Sequence, residues 1–306
     1  MRKNKIRGGV AIGGALLIGA IAMAGSVAFG SATSGATGHR PTAARAASRG
    51  DFRPFHNKLS SNTNGWCTGV GQPCDGVVYG TIDIVKQSFS NGGGSNYGVS
   101  VASPVGQGNK YARLSGGGTG SGGYLTGPAG CPVPGGENCT GAYTLWGTGG
   151  TSKVFSPFST TIKIYVDSVW AAAHPGQVVD WDTALNTNTG GFLSDFAFNM
   201  CSTAAGGGGF YVDDSQGAGG CASPTDPNYI GALTTAGWYT FNHQFTNVGG
   251  TLYTHYSILN SANAVVASYT LNTGFPIATV GGPLYGWFPD EDVNGLPVAN
   301  SQLTKP

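Results

Sequence analysis

The sequence predicts an all-β fold made of two antiparallel sheets packed as a sandwich, and three observations lead to this prediction. Glycine accounts for 54 of the 306 residues while charged residues make up only 9%, which argues against helical bundles and coiled coils, because both need charged surface helices. A hydrophobic content of 40% is enough for a core. Short runs rich in β-branched and aromatic residues alternate with clusters of Gly, Asn, Ser and Pro, as strands alternate with tight turns.

The first fifty residues indicate export. Four basic residues precede a long uncharged apolar run, which is typical of a secretory signal, and small residues follow at Gly30, Ser31 and Ala32. We therefore expect a signal helix in a signal peptide over residues 1–32, a flexible Ala/Ser/Thr/Gly-rich spacer over 33–50, and a secreted, extracellular protein. If the leader stays uncleaved, it is a membrane anchor instead, since its apolar run approaches the ~20 residues that span a bilayer.

The remainder, residues 51–306, contains no linker that would divide it, so we predict one β-sandwich domain with its core over 77–303. This body carries eight basic and fourteen acidic residues, a net charge of −6. It has no basic cluster, and phosphate neutralisation needs several Lys or Arg on one face. A nucleic-acid partner is therefore not expected.

Six cysteines lie in the body, and an even number behind a signal peptide indicates disulfides. Six cysteines allow fifteen pairings. We favour pairing near neighbours, because each such pair closes a Gly- or Pro-rich loop. The expected pairs are Cys67–Cys74, Cys131–Cys139 and Cys201–Cys221. The alternative, a zinc site, needs C-x2–4-C spacing or nearby histidines, and the sequence has neither.

The strands can be placed from their composition and from the turns between them, and no segment after the leader shows helical periodicity. In chain order, we expect strands over 81–89, 97–103, 158–170, 178–186, 192–200, 210–214, 238–246, 252–259, 264–271, 285–288 and 298–303. Consecutive antiparallel hairpins in this number predict a two-sheet sandwich.

Side chains alternate between the two faces of a strand, so the sequence also assigns faces. Asp180 and Asp182 share a polar face, and Asp195 is expected on the polar face of the neighbouring strand, within reach across the turn at 187–191. His243 falls on an apolar face, which is typical of a hydrogen-bonded core histidine. The polar faces are either ordinary solvated surface or a ligand groove.

The segments IYVDSVW, VVDWDTALN, GGFLSDFAFN, AGWYTFNHQF, YGWF and NGLPVANSQL resemble secreted bacterial proteins of the concanavalin A-like lectin/glucanase superfamily. The resemblance covers about residues 77–303 and implies a curved jelly-roll sandwich whose concave face often holds glycans. The E-x-D-x-x-E strand of laminarinase-type members is missing, since Glu137 and Glu291 are the only glutamates. The R-x-E-x-R and Q-x-H strands of alginate lyases are also missing. The resemblance therefore does not extend to their catalytic residues, and fold alone does not settle function.

Aromatic rings and amides suggest a sugar site, because sugar rings stack on exposed aromatic side chains while polar groups fix the hydroxyls. Trp238, with Asn242 and Gln244, is expected next to the aspartates. The alternative is that the tryptophan caps the core. The full set of expected ligand-binding residues is Trp238, Asn242, Gln244, Asn199, Tyr165 and His255.

The aspartates could instead be catalytic, because a glycosidase needs two carboxyl groups about 5–5.5 Å or about 6.5–9.5 Å apart. If the protein is an enzyme, we expect a glycoside hydrolase that uses Asp180, Asp182 and Asp195. The competing interpretation is that these acidic residues only provide solubility. A lyase with His255 near Tyr253, and with Lys163 or Arg113 to pair the acid, is a weaker alternative.

Residues 290–295 have the D-x-D-x-N-G form of a calcium loop, with Asp290, Asp292 and Asn294 as ligands. An ordinary acidic turn is the other interpretation, and no cofactor is required by the sequence. The favoured function is a secreted, lectin-like protein whose partner is a polysaccharide or a cell-surface glycan. The alternatives are a polysaccharide-cleaving enzyme and a non-binding structural protein of the cell surface.

Overall fold

The computed structural model describes residues 54–67, 79–86, 97, 101–104, 106, 108–118, 142–146, 153–214, 221–288, 293 and 295–305. All of these residues belong to one compact unit, Gly35–Pro306. The expected signal peptide and spacer lie outside the described residues, as do Asp290, Asp292 and Asn294 of the expected calcium turn.

Strands dominate the described residues, which confirms the predicted all-β fold. In chain order the elements are β1 (Phe55–Asn57), β2 (Trp66–Cys67), β3 (Tyr79–Lys86), β4 (Lys110–Gly118), β5 (Tyr143–Thr144), β6 (Phe158–Val166), α1 (Ser168–Ala173), β7 (Val178–Thr187), β8 (Phe192–Thr203), β9 (Gly209–Asp214), β10 (Tyr229–Leu233), β11 (Gly237–Val248), β12 (Thr251–Leu259), β13 (Val265–Pro276), β14 (Val280–Trp287) and β15 (Leu296–Thr304).

Two antiparallel sheets form the predicted sandwich. Within the described part of the chain, the large sheet has eight strands in the order β13-β12-β11-β6-β15-β4-β3, with β1 paired to β15. The small sheet has seven, in the order β10-β9-β8-β7-β14-β5-β2. Strands β7, β8 and β9 therefore lie in one sheet, while β6, β11 and β12 lie in the other, and this division positions every candidate functional residue.

The main core lies between the sheets. In the large sheet it follows from alternation along β6, β11 and β12, whereas β7 and β14 of the small sheet are buried on both faces. In β6 each second residue is buried and the residues between them are half-buried. Aromatic rings interlock across the core: Phe158 stacks on Phe245 at 4.7 Å between centroids, and Phe198 of the small sheet meets Phe241 of the large sheet edge-on at 5.2 Å. These contacts bury the apolar face of each sheet.

His243 is a fully buried core histidine, as the alternation of β11 predicts. Its Nδ1 lies 3.2 Å from the hydroxyl of Thr183, in the opposite sheet, and 3.4 Å from that of Thr160. Burial lowers the pKa of His243 to about 3, so the imidazole is neutral near pH 7. The ring therefore bridges the two sheets as a core residue.

Two predicted strands differ from the structure. The segment predicted over 158–170 ends as a strand at Val166, because Asp167 caps α1: its Oδ1 accepts a hydrogen bond of 2.9 Å from the N–H of Trp170. The described residues of the predicted strand 97–103 are not in a strand. Tyr97 is instead fully buried, and its hydroxyl donates to the carbonyl of Tyr165.

The disulfide Cys201–Cys221 is present, as predicted, with 4.9 Å between its Cα atoms. It ties β8 to the segment that leads into β10. Cys74, Cys131, Cys139 and the side chain of Cys67 lie outside the described residues, so the other two pairings stay predictions.

The helices in the described ranges are short, and none of them has the length and apolar character that crossing a bilayer requires.

Candidate functional site

The residues expected to form one site lie on two different surfaces. Asp180, Asp182, Asp195 and Asn199 project from β7 and β8 on the outer face of the small sheet, because Trp181 and Phe198 beside them fill the core. The expected partners Trp238, Asn242, Gln244, Tyr165 and His255 lie in the large sheet, on its outer face. The predicted mixture of Trp238 with the aspartates is therefore wrong, because the two groups lie on opposite sides of the sandwich.

Two rows of side chains cross the outer face of the large sheet, and we call them together the polar face. The register of six neighbouring strands aligns His56, Gln302, Thr161, Asn242, Ser257 and Ser268 in the first row. It aligns Thr304, Ser159, Gln244, His255 and Thr270 in the second row. Each of these residues is exposed or half-buried and carries a hydroxyl, an amide or an imidazole.

Hydrogen bonds between neighbouring strands hold the polar face in place. The ring of His255 lies between two hydroxyls: Nε2 is 3.0 Å from Oγ1 of Thr246, and Nδ1 is 3.0 Å from Oγ1 of Thr270. Asn242 donates from Nδ2 to Oγ of Ser257 at 3.1 Å. This leaves Oδ1 of Asn242 and the whole amide of Gln244 without a side-chain partner among the described residues. The face thus presents both acceptors and donors from fixed positions.

Tyrosines stand at both ends of the polar face. Tyr165 is half-buried on β6, opposite Trp238, and Tyr253 is half-buried on β12, opposite Thr246. Burial and the nearby carboxylate of Asp167 raise the pKa of Tyr165, so its hydroxyl stays protonated. A neutral aromatic side chain therefore lies beyond the polar face on either side. On the Tyr165 side, a row that pairs the half-buried Lys163 with Thr240 lies between the tyrosine and the polar face.

Trp238 does not provide the exposed ring that the sequence suggested. Its side chain is only 9% exposed, and its indole Nε1 donates to the carbonyl of Ala102 at 2.6 Å. The ring packs edge-on against Tyr111 and Tyr165. This burial fits the capping alternative and argues against stacking of a ligand on Trp238.

Carboxyl groups share the outer face of the small sheet with a buried apolar cluster that includes Tyr285 and Trp287. One row runs across four strands through Asp180, Asn199, Asp213 and Tyr229. Asp180 and Asp182 are 2% and 1% exposed, so both carboxyl groups lie almost wholly out of water. Burial disfavours the ionised form of a carboxyl group, and this surface therefore differs in kind from the polar face.

The carboxyl groups of Asp182 on β7 and Asp195 on β8 are hydrogen-bonded to each other. Burial raises the pKa of Asp182 well above its usual value, and the charge and hydrogen bond of Asp195 raise it further. A 2.8 Å hydrogen bond from the N–H of Phe196 to Asp182 acts in the opposite direction and lowers the pKa. Tyr285 donates its hydroxyl to Asp195 at 3.3 Å. Direct contact is closer than either carboxyl separation used by glycosidases, and it favours a shared proton.

A second carboxyl pair, Asp213 with Asp226, was missed at the sequence level. Burial and the neighbouring carboxyl group of Asp226 raise the pKa of Asp213 to about 7. Asp226 itself accepts a hydrogen bond of 2.6 Å from the N–H of Ser223, in the segment that follows the disulfide. The alternation of residues 210–214 places Asp213 on the outer face, but no local pattern links it to Asp226.

Among the residues that the structure describes, no three His, Cys, Asp or Glu side chains are grouped as metal ligands. Of the residues expected in a lyase, the ring of His255 lies between two threonine hydroxyls, and the guanidinium of Arg113 is buried and donates to the carbonyls of Tyr97 and Gly295. Lys163 is half-buried on the outer face of the large sheet, which His255 shares.

Comparison with known proteins does not identify a family. No family model matches the chain, and no curated protein matches it in sequence, so the concanavalin A-like resemblance stays a prediction. A solved structure of the CBM2 module of the evolved Dit of Lactobacillus casei BL23 phage J-1 is 12% identical, covering 81% of this chain and 93% of that one, with a TM-score of 0.33. Scytalido-glutamic peptidase with a peptide-based transition-state analogue is 9% identical, covering 50% and 60%, with a TM-score of 0.22. Likeness at this level carries no functional argument.

Proposed function

We propose that this protein binds a neutral polysaccharide or cell-surface glycan outside the cell, through the polar face of the large sheet. The observation that carries the proposal is the composition of the two aligned rows: hydroxyls, amides and imidazoles continue across six strands in the first row and five in the second, without a carboxylate, ammonium or guanidinium group. The next row toward Tyr165 adds one ammonium group, that of the half-buried Lys163 opposite Thr240. A sugar chain offers hydroxyl groups that both donate and accept, and a surface of this kind matches them.

Preorganisation supports binding rather than simple solvation. Asn242 and His255 are already fixed by their neighbours Ser257, Thr246 and Thr270, so less side-chain freedom is lost when a ligand binds. Oδ1 of Asn242 and the amide of Gln244 remain available to a ligand at the centre of the polar face.

The two tyrosines define the length of the proposed site. Tyr165 and Tyr253 pair with residues eight positions apart on β11, which corresponds to roughly 26 Å along the strand. The C–H faces of sugars pack on aromatic rings, so a ring at each end suits an extended chain of several units rather than a single sugar.

The test is retardation of the full chain in native gels that contain neutral polysaccharides, such as a β-glucan, a xylan or a mannan. We expect at least one of them to retard the protein, and the double variant Asn242→Ala/Gln244→Ala to weaken its affinity at least ten-fold. Tyr253→Ala should weaken binding as well. The matched control is Tyr211→Ala, which removes a half-buried tyrosine from the small sheet.

Two results would overturn the proposal. One is that no neutral polysaccharide retards the wild-type protein. The other is that the double variant and the Tyr211→Ala control bind equally well, which would place any glycan site away from the polar face. Product analysis of the same samples tests the enzymatic alternative, because cleavage would release new reducing ends.

A further inference from the structure

A cavity of about 480 Å³ opens at one end of the sandwich, where the turn between β7 and β8, the turn between β11 and β12, and the connection from β13 to β14 meet the residues before β6. Its walls include apolar side chains, two amides and one lysine. The residues used below are Lys153, Phe155, Asn188, Asn247, Ile277 and Val280.

Lys153 carries the only charge in the segments that form these walls. Residues 153–157, 187–191, 246–251 and 274–280 contain no Asp, Glu or Arg and no other Lys. The body as a whole has a net charge of −6, whereas these four segments together carry one positive charge and no acidic residue. A site of this charge attracts an anionic group.

The aliphatic part of the Lys153 side chain, its stem, packs against the backbone of Gly190. A Cβ added to Gly190 would lie 3.0 Å from Cε of Lys153, so the stem crosses directly over this glycine. Gly190 also has a φ of +91°, which side-chain-bearing residues rarely adopt. The glycine therefore makes room for the stem, and packing against it limits where the ammonium group can lie.

Each of the two asparagine amides has one polar atom that is available to a ligand. Asn188 donates from Nδ2 to the carbonyl of Ala278 at 2.6 Å, and Asn247 accepts at Oδ1 from the N–H of Gly250 at 2.9 Å. Asn188 Oδ1 thus stays an acceptor, and Asn247 Nδ2 stays a donor, with no described residue bonded to either atom. Phe155, Ile277 and Val280 add apolar surface.

These groups define one class of ligand. Lys153, Asn188 and Asn247 are exposed, so water hydrates them in the free protein, and the favoured ligand is one that replaces the contacts of all three at once. A neutral sugar offers no anionic partner for the ammonium group, and an apolar carboxylate offers no partner for the amides. An acidic sugar offers a carboxylate for Lys153, hydroxyls that donate to Asn188 and accept from Asn247, and a C–H face for Phe155.

We propose that the cavity binds a uronic acid unit carried by an otherwise neutral glycan, and this inference rests on the proposed function. Asn247 directly follows Thr246, whose hydroxyl is bonded to His255 of the polar face. Successive side chains of a strand project to opposite faces, so Asn247 lies on the other side of β11 from Thr246. A chain whose neutral part lies on the polar face therefore reaches Lys153 by passing around the end of β11.

The experiment compares two matched probes, a cello-oligosaccharide and the same oligosaccharide oxidised at C6 to glucuronate, in calorimetric titrations of the full chain. We expect the oxidised probe to bind at least ten-fold more tightly at low salt, and the advantage to shrink as salt is added. Lys153→Met keeps the stem and removes the charge, so it should abolish the advantage. Lys153→Arg should retain it, and Lys58→Met, at another exposed lysine, should leave it unchanged.

The outcomes separate this inference from the proposed function. Equal affinity for the two probes, or an advantage that survives Lys153→Met, overturns the uronate site whether or not the neutral probe binds. An advantage that depends on Lys153 supports the site, even if the Asn242→Ala/Gln244→Ala variant binds neutral polysaccharide normally and the proposed function fails. Absence of binding by both probes overturns the uronate site, and the polysaccharide gels then decide the proposed function.

Discussion

The two outer faces of the sandwich are built from the same alternation, but they differ in charge and in burial. On the large sheet, the polar face consists of half-buried or exposed neutral groups that bond to one another, such as Asn242 with Ser257. On the small sheet, Asp182 is 1% exposed and hydrogen-bonded to Asp195. Because a buried carboxyl group retains its proton, the small-sheet surface links folding to pH, whereas the polar face remains available for a ligand.

This comparison separates stability from recognition. Removing a buried carboxyl group leaves its partners unpaired in a poorly hydrated place, while removing a half-buried amide returns its partner to water. Substitutions on the small sheet should therefore change the free energy of unfolding, and substitutions on the polar face should change binding.

The largest effect is expected for Asp182→Ala. The substitution leaves the N–H of Phe196 and the carboxyl group of Asp195 without this partner, so it should lower the free energy of unfolding by about 1–3 kcal/mol. Asp182→Asn keeps an acceptor for Phe196 and should cost less. Urea unfolding measures both, and an Asp182→Ala protein as stable as wild type would remove the distinction between the two faces.

A smaller effect is expected from the pH dependence at Asp213. Its pKa is about 7 when folded and near 4 when unfolded, so the folded state binds more protons between these values. The contribution of Asp213 to stability therefore falls as pH rises from 4 to 7 and stays low above pH 7. Wild-type stability should therefore decrease between pH 4 and pH 7 by more than that of Asp213→Asn. After allowance for solvent screening, we expect the difference to be about 1 kcal/mol.

Thermal unfolding at pH 5 and pH 8 provides the measurement. Asp83→Asn, which replaces an exposed carboxylate on β3, is the matched control and should leave the pH dependence of wild type unchanged. If the Tm of Asp213→Asn depends on pH in the same way as the Tm of the wild-type protein, the account of the carboxyl pair is contradicted.

The smallest stability effect is expected on the polar face. Asn242→Ala removes one hydrogen bond from a half-buried site and should change the free energy of unfolding by less than about 0.5 kcal/mol. Urea unfolding beside Asp182→Ala gives the direct contrast. A loss of 2 kcal/mol or more would show that the polar face is needed for folding, and its proposed role in binding would lose its basis.

Much of the architecture could be predicted from period-two alternation. Strands β6 to β9 and β11 to β15 lie near their predicted positions, and the faces assigned to Asp180, Asp182 and His243 are correct. Alternation works best in β6, β11 and β12, because each of these strands buries one face against the core between the sheets. It does not predict that β7 and β14 are buried on both faces.

The sheet order could not be predicted in the same way. Alternation says which residues share a face of one strand, but it does not say that β11 pairs with β6 rather than with β7. For this reason Trp238 was placed beside Asp180, although the two lie in different sheets. The contact between Asp213 and Asp226 was missed for a related reason, because it depends on how the segment after Cys221 folds back.

Local capping and turn contacts were also beyond the pattern. The apolar run ending at Trp170 resembles a continuing strand, and the cap at Asp167 converts it into α1. The burial of Trp238 depends on the carbonyl of Ala102, which is 136 residues away in the chain. Such contacts follow from tertiary structure and not from composition.

Hydroxyl-radical footprinting of the full chain, with and without the polysaccharide that retards it most, tests the central claim most directly. Tyr253 and His255 report on the polar face, and Tyr211 and Tyr229 report on the small sheet in the same sample. The account predicts that the polysaccharide lowers oxidation of Tyr253 and His255 and leaves Tyr211 and Tyr229 unchanged. Protection of Tyr211 and Tyr229, with Tyr253 and His255 oxidised as in the free protein, would contradict it.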